Sequence, residues 1–213
     1  MGLKLKGSTD GSVSLQAPAD TVPTGTDKTL ILPTGIGTAN QVLKNSATAG
    51  ELEFGDLTAG KVLQVVSAIK KDTASTTSTS AVATGLQLSI TPTASTSTIL
   101  LTASIGCSGT AHNDFGVFFY FGLGGSVITD ALGDASSSRT RSGTFSRCST
   151  TVRGQSSVMV YEHDHNSSSQ LTYSLMFSVE NSSTAFINRS GNDADSAARP
   201  RTFSTLTAME ISA

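Results

Sequence analysis

Short stretches of alternating apolar and polar residues recur along the chain, and they predict an all-β protein. Residues 86–90 read Leu, Gln, Leu, Ser, Ile and stop before Pro92, a period of two that is typical of a strand with one buried face. Turn residues separate such stretches roughly every eight to twelve positions, which favours a two-sheet sandwich or jelly roll. The other strands predicted after residue 60 are residues 61–68, 98–105, 115–123, 126–129, 140–145, 157–162, 170–179, 184–188 and 202–211.

Three local patterns add detail to this prediction. The nearly continuous apolar run at residues 62–66 is typical of a strand that is buried on both faces. The Ser/Thr-rich tract at residues 73–80 is expected to be an exposed loop. Gly124 and Gly125 follow an aromatic-rich segment and predict a hairpin whose turn needs positive φ.

The first part of the chain has weaker strand signals, at residues 13–17, 29–32, 41–44 and 51–54. Strands of four or five residues bury too little surface to form a core on their own. We therefore divide the chain into two parts. Residues 1–60 form a stem or docking segment that packs against copies of itself or against another structure, and residues 61–213 form the sandwich.

Composition supports the all-β prediction and narrows the range of partners. Roughly three in ten residues are Ser or Thr, the net charge is −2, and 14% of residues are charged. A nucleic-acid-binding protein needs a basic face, so this near-neutral charge argues against one. The apolar run at residues 117–121 is too short to span a bilayer, and residues 1–6 lead into no apolar signal-peptide core. We expect no nucleic-acid partner, no membrane insertion and synthesis in a cytosol.

The first part of the chain resembles modules strung along the fibres of marine and cyanobacterial phages. The similarity lies in residues 5–18, 29–33 and 39–43 and covers nearly all of residues 3–54. It implies a virion protein, assembled in the host cytoplasm, that is attached to another virion protein through residues 1–60.

The second part resembles a trimeric jelly-roll domain that is common on bacteriophage tail fibres and similar to tumour necrosis factor and complement C1q. This resemblance implies that the protein is a homotrimer. At residues 117–121 relatives often place charged residues, whereas this chain has an apolar run. The matching stretches are residues 60–66, 84–92, 133–141, 186–195 and 201–211.

Together the two resemblances imply a non-enzymatic tail fibre or fibre tip that mediates host-surface recognition. The alternative is a capsid decoration or head-fibre protein that stabilises or ornaments the shell. In either role, a host surface glycan or protein would be contacted by loops at residues 73–80, 131–138, 149–156 and 166–170.

The metal-capable side chains cluster at residues 162–165, which read Glu, His, Asp, His. On a strand, His163 and His165 would share one face. In a trimer, this pair near the three-fold axis could present six imidazoles to one transition metal. The alternative is a solvated loop that leads into a turn.

Acidic residues alternate at Asp193 and Asp195, after Asn192. Such spacing could supply oxygen ligands to Ca²⁺, but no bidentate Glu follows at a suitable distance. The alternatives are a turn held by Asx hydrogen bonds or ion pairs with Arg189 or Arg199.

Cys107 and Cys148 are separated by about forty residues. They could pair if facing strands brought them together, or they could be two reduced thiols that pack as small hydrophobes. No Cys/His cluster indicates structural zinc.

Catalytic motifs are missing from this serine-rich sequence. No G-x-S-x-G elbow is present, and acids are scarce. We therefore expect a protein without enzymatic activity and without a cofactor. Tyr120, Tyr161, Tyr173 and Phe145 could line a sugar-binding surface, although aromatic side chains on strands more often belong to the core.

Overall fold

The computed structural model describes residues 3–6, 12–15, 30–38, 41–56, 61–110, 115–148, 154–181 and 183–212. Its contacts divide the chain into two units, Met1–Leu57 and Thr58–Ala213. Each unit is considered by itself.

Within its described residues, the first unit has two antiparallel strand pairs. The pairs are β1 (Leu3–Lys6) with β2 (Ser12–Leu15), and β3 (Gln41–Asn45) with β4 (Leu52–Asp56). In place of a strand at residues 29–32, the structure has one bridge between Ile31 and Glu51. No residue in the described stretches 30–38 and 41–55 is buried, and Ile36 is 97% exposed. This part of the first unit therefore lacks an apolar interior of its own.

The second unit is a β-sandwich with short connections. Among the described residues of this unit, the regular elements are strands apart from one 3₁₀ turn at Thr129–Ala131. They are β5 (Val62–Lys70), β6 (Ala74–Thr76), β7 (Val82–Ile90), β8 (Thr98–Gly109), β9 (Phe115–Leu123), β10 (Ser126–Val127), β11 (Thr144–Cys148), β12 (Gln155–Asp164), β13 (Leu171–Val179), β14 (Ala185–Ile187) and β15 (Ser204–Ile211).

Two antiparallel sheets make up the sandwich. The first sheet has the long strands β5-β15-β8-β12 side by side, with β14 and then β6 added beyond the end of β15. The second sheet has the order β7-β13-β9-β11, with β10 closing a hairpin on β9. Successive long strands mostly alternate between the sheets, and the first and last, β5 and β15, are neighbours. This is a jelly-roll arrangement, and the all-β sandwich prediction is confirmed.

The core lies between the sheets because alternate residues of each strand point inward. In β15, Ser204, Leu206, Ala208 and Glu210 are buried while the residues between them are partly exposed. The largest fully buried side chains come from both sheets: Tyr173, Phe115, Phe119, Phe121, Phe177, Ile90, Ile99, Leu101, Ile105, Leu175, Ile187 and Leu206.

The apolar run at residues 117–121 forms the middle of β9. Val117, Phe119 and Phe121 join the core, while Tyr120 is buried on the opposite face and shares a hydrogen bond with Ser178 of β13 at 2.9 Å. Four of the five side chains of the run are therefore buried, and Phe118 on the outward face is partly exposed, so an apolar run without charged residues fits this central strand.

Three local predictions have clear outcomes. Gly124 and Gly125 have φ of 57° and 88°, so the hairpin prediction is confirmed. The prediction of a loop throughout residues 73–80 is wrong, because β6 lies inside that tract and pairs with β14. The prediction that residues 62–66 are buried on both faces is also wrong for the single chain, because β5 is an edge strand with Val62 and Val65 exposed.

Candidate functional site

One face of the first sheet points away from the core and carries many apolar side chains. It comprises the outward-facing positions of β5, β15, β8 and β12, and we call it the apolar face. Its large apolar members are Val62, Val65, Ile69, Leu100, Val158, Val160, Met209 and Ile211.

The most exposed of these side chains lie on the two edge strands. Val160 is 62% exposed on β12, and Ile69 is 60% exposed on β5. Short polar residues interrupt the face, including Ser67 on β5 and Thr207 on β15, whose hydroxyls share a hydrogen bond at 2.9 Å. A contiguous surface of this kind is typical of a protein–protein contact.

Charge on the apolar face is limited to one corner. Glu162 and Asp164 occupy outward positions at the end of β12, and Thr98 donates to Glu162 at 3.2 Å. No Lys or Arg stands at an outward position of these four strands, all of whose residues the structure describes. The middle of the face can therefore be covered by another protein without burying an unpaired charge.

The two predicted metal-binding histidines lie near each other at the end of β12, with ring centres 6.4 Å apart. His163 points inward, where its Nδ1 lies 2.7 Å from the hydroxyl of Tyr173. Burial raises the pKa of Tyr173 above its usual value. The phenol therefore stays protonated, and it shares a hydrogen bond with Nδ1 of His163. Burial, followed by the neighbouring His165, lowers the pKa of His163, so this imidazole is held neutral.

His165 belongs to a separate polar cluster beyond the end of β12. Its Nδ1 accepts a hydrogen bond from the backbone N–H of Ser167 at 3.1 Å, so Nε2 of the neutral ring carries the proton. That nitrogen lies 3.3 Å from Oγ of Ser97, and Ser97 in turn donates to Glu210 at 2.7 Å. In this chain of hydrogen bonds Ser97 lies between His165 and Glu210. In a catalytic triad the histidine lies between the serine and the acid, so the arrangement here is different.

Glu210 is a buried carboxylate whose charge is compensated by hydrogen bonds. Gln64 donates to its Oε2 at 2.6 Å. Ser97 and both the backbone and hydroxyl groups of Thr93 donate to its Oε1 at 2.7 to 2.8 Å. Burial raises the pKa of Glu210, but these donors outweigh it and bring the value to about 2. The carboxylate is thus too weakly basic to accept a proton in catalysis near neutral pH, and it instead ties the start of β8 to β15.

A surface cavity of about 320 Å³ lies beside this cluster, lined by residues 95–97 and 164–166. Within the described residues, no group of three or more His, Cys, Asp or Glu side chains is arranged to hold a metal. Both nitrogens of His165 and Nδ1 of His163 have protein partners. A metal site shared between several copies at these histidines stays a prediction.

The loop with Asp193 and Asp195 is held by ion pairs and a local turn. Asp193 Oδ2 contacts the guanidinium of Arg201 at 2.5 Å and that of Arg189 at 3.6 Å. Asn192 Oδ1 accepts from the backbone N–H of Ala194 at 3.1 Å, which is the expected Asx turn. Arg201, rather than Arg199, joins Arg189 in the ion pairs. These contacts give Asp193 a structural role, and Asp195 is exposed.

Asn188 is a buried polar residue that the sequence reading did not single out. Its side-chain nitrogen donates to the backbone oxygens of Lys70 at 2.8 Å and Asp72 at 3.0 Å, and its Oδ1 accepts from Ser204 at 2.7 Å. Its φ of +62° is a conformation that Asn tolerates better than most residues. That tolerance, in the residue just after β14, is the signal that sequence reasoning could have used.

The remaining candidates are distributed between core and surface. Tyr120 and Tyr173 are buried, Tyr161 is partly buried, and Phe145 is 58% exposed on the outward face of the second sheet. Of the predicted recognition loops, residues 131–138 and 166–170 are largely exposed. Residues 149–153 lie outside the described residues.

Both cysteines are in the core of the sandwich, and no disulfide joins them. Cys107 lies on β8 and Cys148 ends β11, each 1% exposed.

The sequence matches no protein-family model and no curated protein. None of the described helical segments has the length and apolar character needed to cross a membrane.

Proposed function

We propose that this chain is a non-enzymatic bacteriophage virion protein, a homotrimeric tail fibre or fibre tip that mediates host-surface recognition. The apolar face is the single observation that carries this proposal. It supports self-association, and the resemblance of the sequence to phage fibre modules supplies the setting in which a self-associating jelly roll functions.

The arrangement of the apolar face suits a closed assembly of identical chains. Its exposed β-branched residues occur on both edge strands, Val65 and Ile69 on β5 and Val158 and Val160 on β12. In a ring with three-fold symmetry, one side of this surface meets the other side in the next copy. Each half-exposed Val or Ile that becomes covered contributes about 1 kcal/mol.

The first unit supports attachment to a further protein. Leu30, Ile31, Leu32 and Ile36 are all at least half exposed, and no described residue of the stretches 30–38 and 41–55 is buried. Such short pairs of strands gain stability when another chain covers their apolar residues. In the proposed protein, residues 1–60 form that attachment to the virion.

Recognition of the host is assigned to the exposed loops of the sandwich. Residues 131–138 and 166–170 are rich in Ser, Asp and Asn, whose short side chains can hydrogen-bond a glycan or a protein surface. Three copies presented together multiply weak single contacts through avidity.

The proposal is tested by labelling intact particles of a phage that encodes this chain with an antibody against residues 61–213, followed by electron microscopy. Label on the tail supports the fibre role, and loop variants in host adsorption then test recognition. Label over the capsid overturns the tail assignment in favour of the decoration or head-fibre role. Particles without label, in a preparation where a known virion protein is labelled, overturn the assignment to the virion.

A further inference from the structure

The two cysteines come from opposite sheets of the sandwich, yet their thiols meet. Cys107 pairs with Gln155 in the first sheet, and Cys148 pairs with Phe115 in the second. Both side chains point into the core, and the two thiol groups are joined by a hydrogen bond. Two thiols within hydrogen-bond reach of each other are placed to form a disulfide, whose S–S bond is about 2.05 Å long.

The reason for this contact is that the two sheets converge at the corner where β11 and β12 run together. Facing sheets are normally about 10 Å apart. Here the hydroxyls of Ser146 on β11 and Ser157 on β12 hydrogen-bond directly across the sandwich. Ser146 lies two residues before Cys148 on the same face of its strand, and it also hydrogen-bonds Cys107. The thiol pair is therefore placed by strands on either side and not by a mobile loop.

A cavity lies on the outward side of the first sheet beside Cys107, whose thiol points to the inward side and is 1% exposed. Its volume is about 290 Å³, and its lining includes Cys107, Gly154, Gln155 and Arg189. The Arg189 guanidinium, held over the ring of Phe186 at 4.0 Å, places a positive charge in the wall of this cavity. A cationic wall attracts anionic oxidants such as glutathione disulfide to this corner of the sandwich. Each thiol is 1% exposed, so exchange proceeds when the corner opens locally.

Hydrogen bonds to Cys148 and Ser146 favour the thiolate form of Cys107. Hydrogen bonding to Cys148, and secondarily to Ser146, holds the pKa of the Cys107 thiol below its usual value, against the opposing effect of burial. The thiolate is the nucleophile in thiol–disulfide exchange, so Cys107 is the cysteine expected to react first.

We propose that Cys107 and Cys148 form a latent redox pair that closes an intramolecular disulfide between the two sheets when the protein meets a disulfide oxidant. The Cys107 thiolate attacks one sulfur of glutathione disulfide and releases one glutathione. The Cys148 sulfur then attacks Cys107 in the mixed disulfide and releases the second. Two protein thiols are oxidised, one glutathione disulfide is reduced to two glutathione molecules, and these carry the two protons.

The consequence is a cross-link that forms after the protein leaves a reducing cytosol. The bond would connect β8 of the first sheet to β11 of the second and close a loop of about forty residues. A cross-link of that span restricts the unfolded chain, so the oxidised sandwich unfolds at a higher temperature than the reduced one.

The test uses the full chain, reduced and then incubated with glutathione disulfide under native conditions. We expect the intact mass to fall by two hydrogen atoms and a non-reduced peptide map to link the Cys107 and Cys148 peptides. We also expect the melting temperature to rise by about 5 to 15 °C. Two thiols that remain open to alkylation after oxidation and denaturation overturn the proposal, and so does a disulfide that forms only between chains.

The order of attack is tested with two matched variants whose folding is checked by circular dichroism. Cys148→Ser should retain one glutathione on Cys107, because the second thiol is missing. Cys107→Ser should acquire glutathione at least ten-fold more slowly. Equal rates in the two variants overturn the assignment of Cys107 as the first nucleophile. The wild-type mass measurement tests the pair itself even if either variant fails to fold.

Discussion

The side-chain amide of Asn188 donates a hydrogen bond to the backbone oxygen of Lys70 at 2.8 Å. This contact joins the end of β5 to the residue that follows β14, and the same side chain accepts from Ser204 at the start of β15. Asn188 thus connects three segments of the chain through one amide group, at a positive φ that Asn tolerates better than most residues.

Replacing Asn188 by Ala should reduce the free energy of unfolding by about 2 to 4 kcal/mol. The substitution removes one donor from each of two carbonyl oxygens and removes the acceptor of the Ser204 hydroxyl. Asn166 also has positive φ, 48°, but it is exposed, so Asn166→Ala is the matched control and should cost less than about 1 kcal/mol. Urea unfolding of both variants makes the comparison. Equal losses would show that backbone conformation, rather than the hydrogen bonds of Asn188, determines the effect.

Acid should destabilise the sandwich through Glu210. Its pKa is about 2 in the folded protein, lower than in the unfolded chain, where a Glu titrates at about 4.3. A depressed folded pKa gives stability that is fully present above the unfolded pKa and is lost as the pH falls from about 4.3 towards 2. The contribution is about 3 kcal/mol.

This pH dependence is measured by urea unfolding between pH 7 and pH 2. Glu210→Gln should lower stability at pH 7 and flatten the acid limb relative to the wild type. Glu162→Gln removes a carboxylate of the same kind from an exposed outward position of β12 and is the matched control. An acid limb that is as steep in Glu210→Gln as in the wild type would exclude Glu210 as its source.

Alternating apolar and polar residues predict a strand well where one face of the strand packs on the core and the other faces outward. Leu86, Leu88 and Ile90 are buried as their alternation indicates. The aromatic-rich run at residues 115–123 forms the predicted strand β9 without such alternation. The sequence does not distinguish β6 from a loop, because Ser and Thr are common in both loops and strands. Pairing with β14, more than a hundred residues later, decides the conformation there.

The candidate sites were less predictable because their meaning depends on distant partners. Strand geometry predicts a shared face for His163 and His165, but β12 ends at Asp164 and leaves His165 outside the strand. The partner of His163, Tyr173, comes from the other sheet. Glu210 looks like a polar residue in an alternating strand. Its burial becomes tolerable only through donors such as Ser97 and Gln64, which lie 113 and 146 residues away.

Mild acid should lower the stability of the sandwich by protonating His163, which contacts Tyr173. The pKa of His163 is lowered in the folded protein, first by burial, so the unfolded chain takes up a proton more readily. The stability due to the neutral imidazole is present above the unfolded pKa of about 6.5 and is lost as the pH falls below it. His163→Gln should weaken the change in melting temperature between pH 7 and pH 5. An unaltered change in that variant would contradict the assignment.

Self-association should depend on the apolar face and not on exposed apolar residues in general. Val160→Glu places a charge in the part of the face that we propose is covered by another copy, where an unpaired buried carboxylate costs several kcal/mol. We expect light scattering coupled to size-exclusion chromatography to give three times the chain mass for the wild type and the mass of one chain for this variant. Phe145→Glu is the matched control, since Phe145 is 58% exposed on the second sheet and Val160 is 62% exposed on the first. A wild-type protein that is monomeric at high concentration would contradict the proposed trimer. Dissociation by Phe145→Glu alone would place the interface on the second sheet.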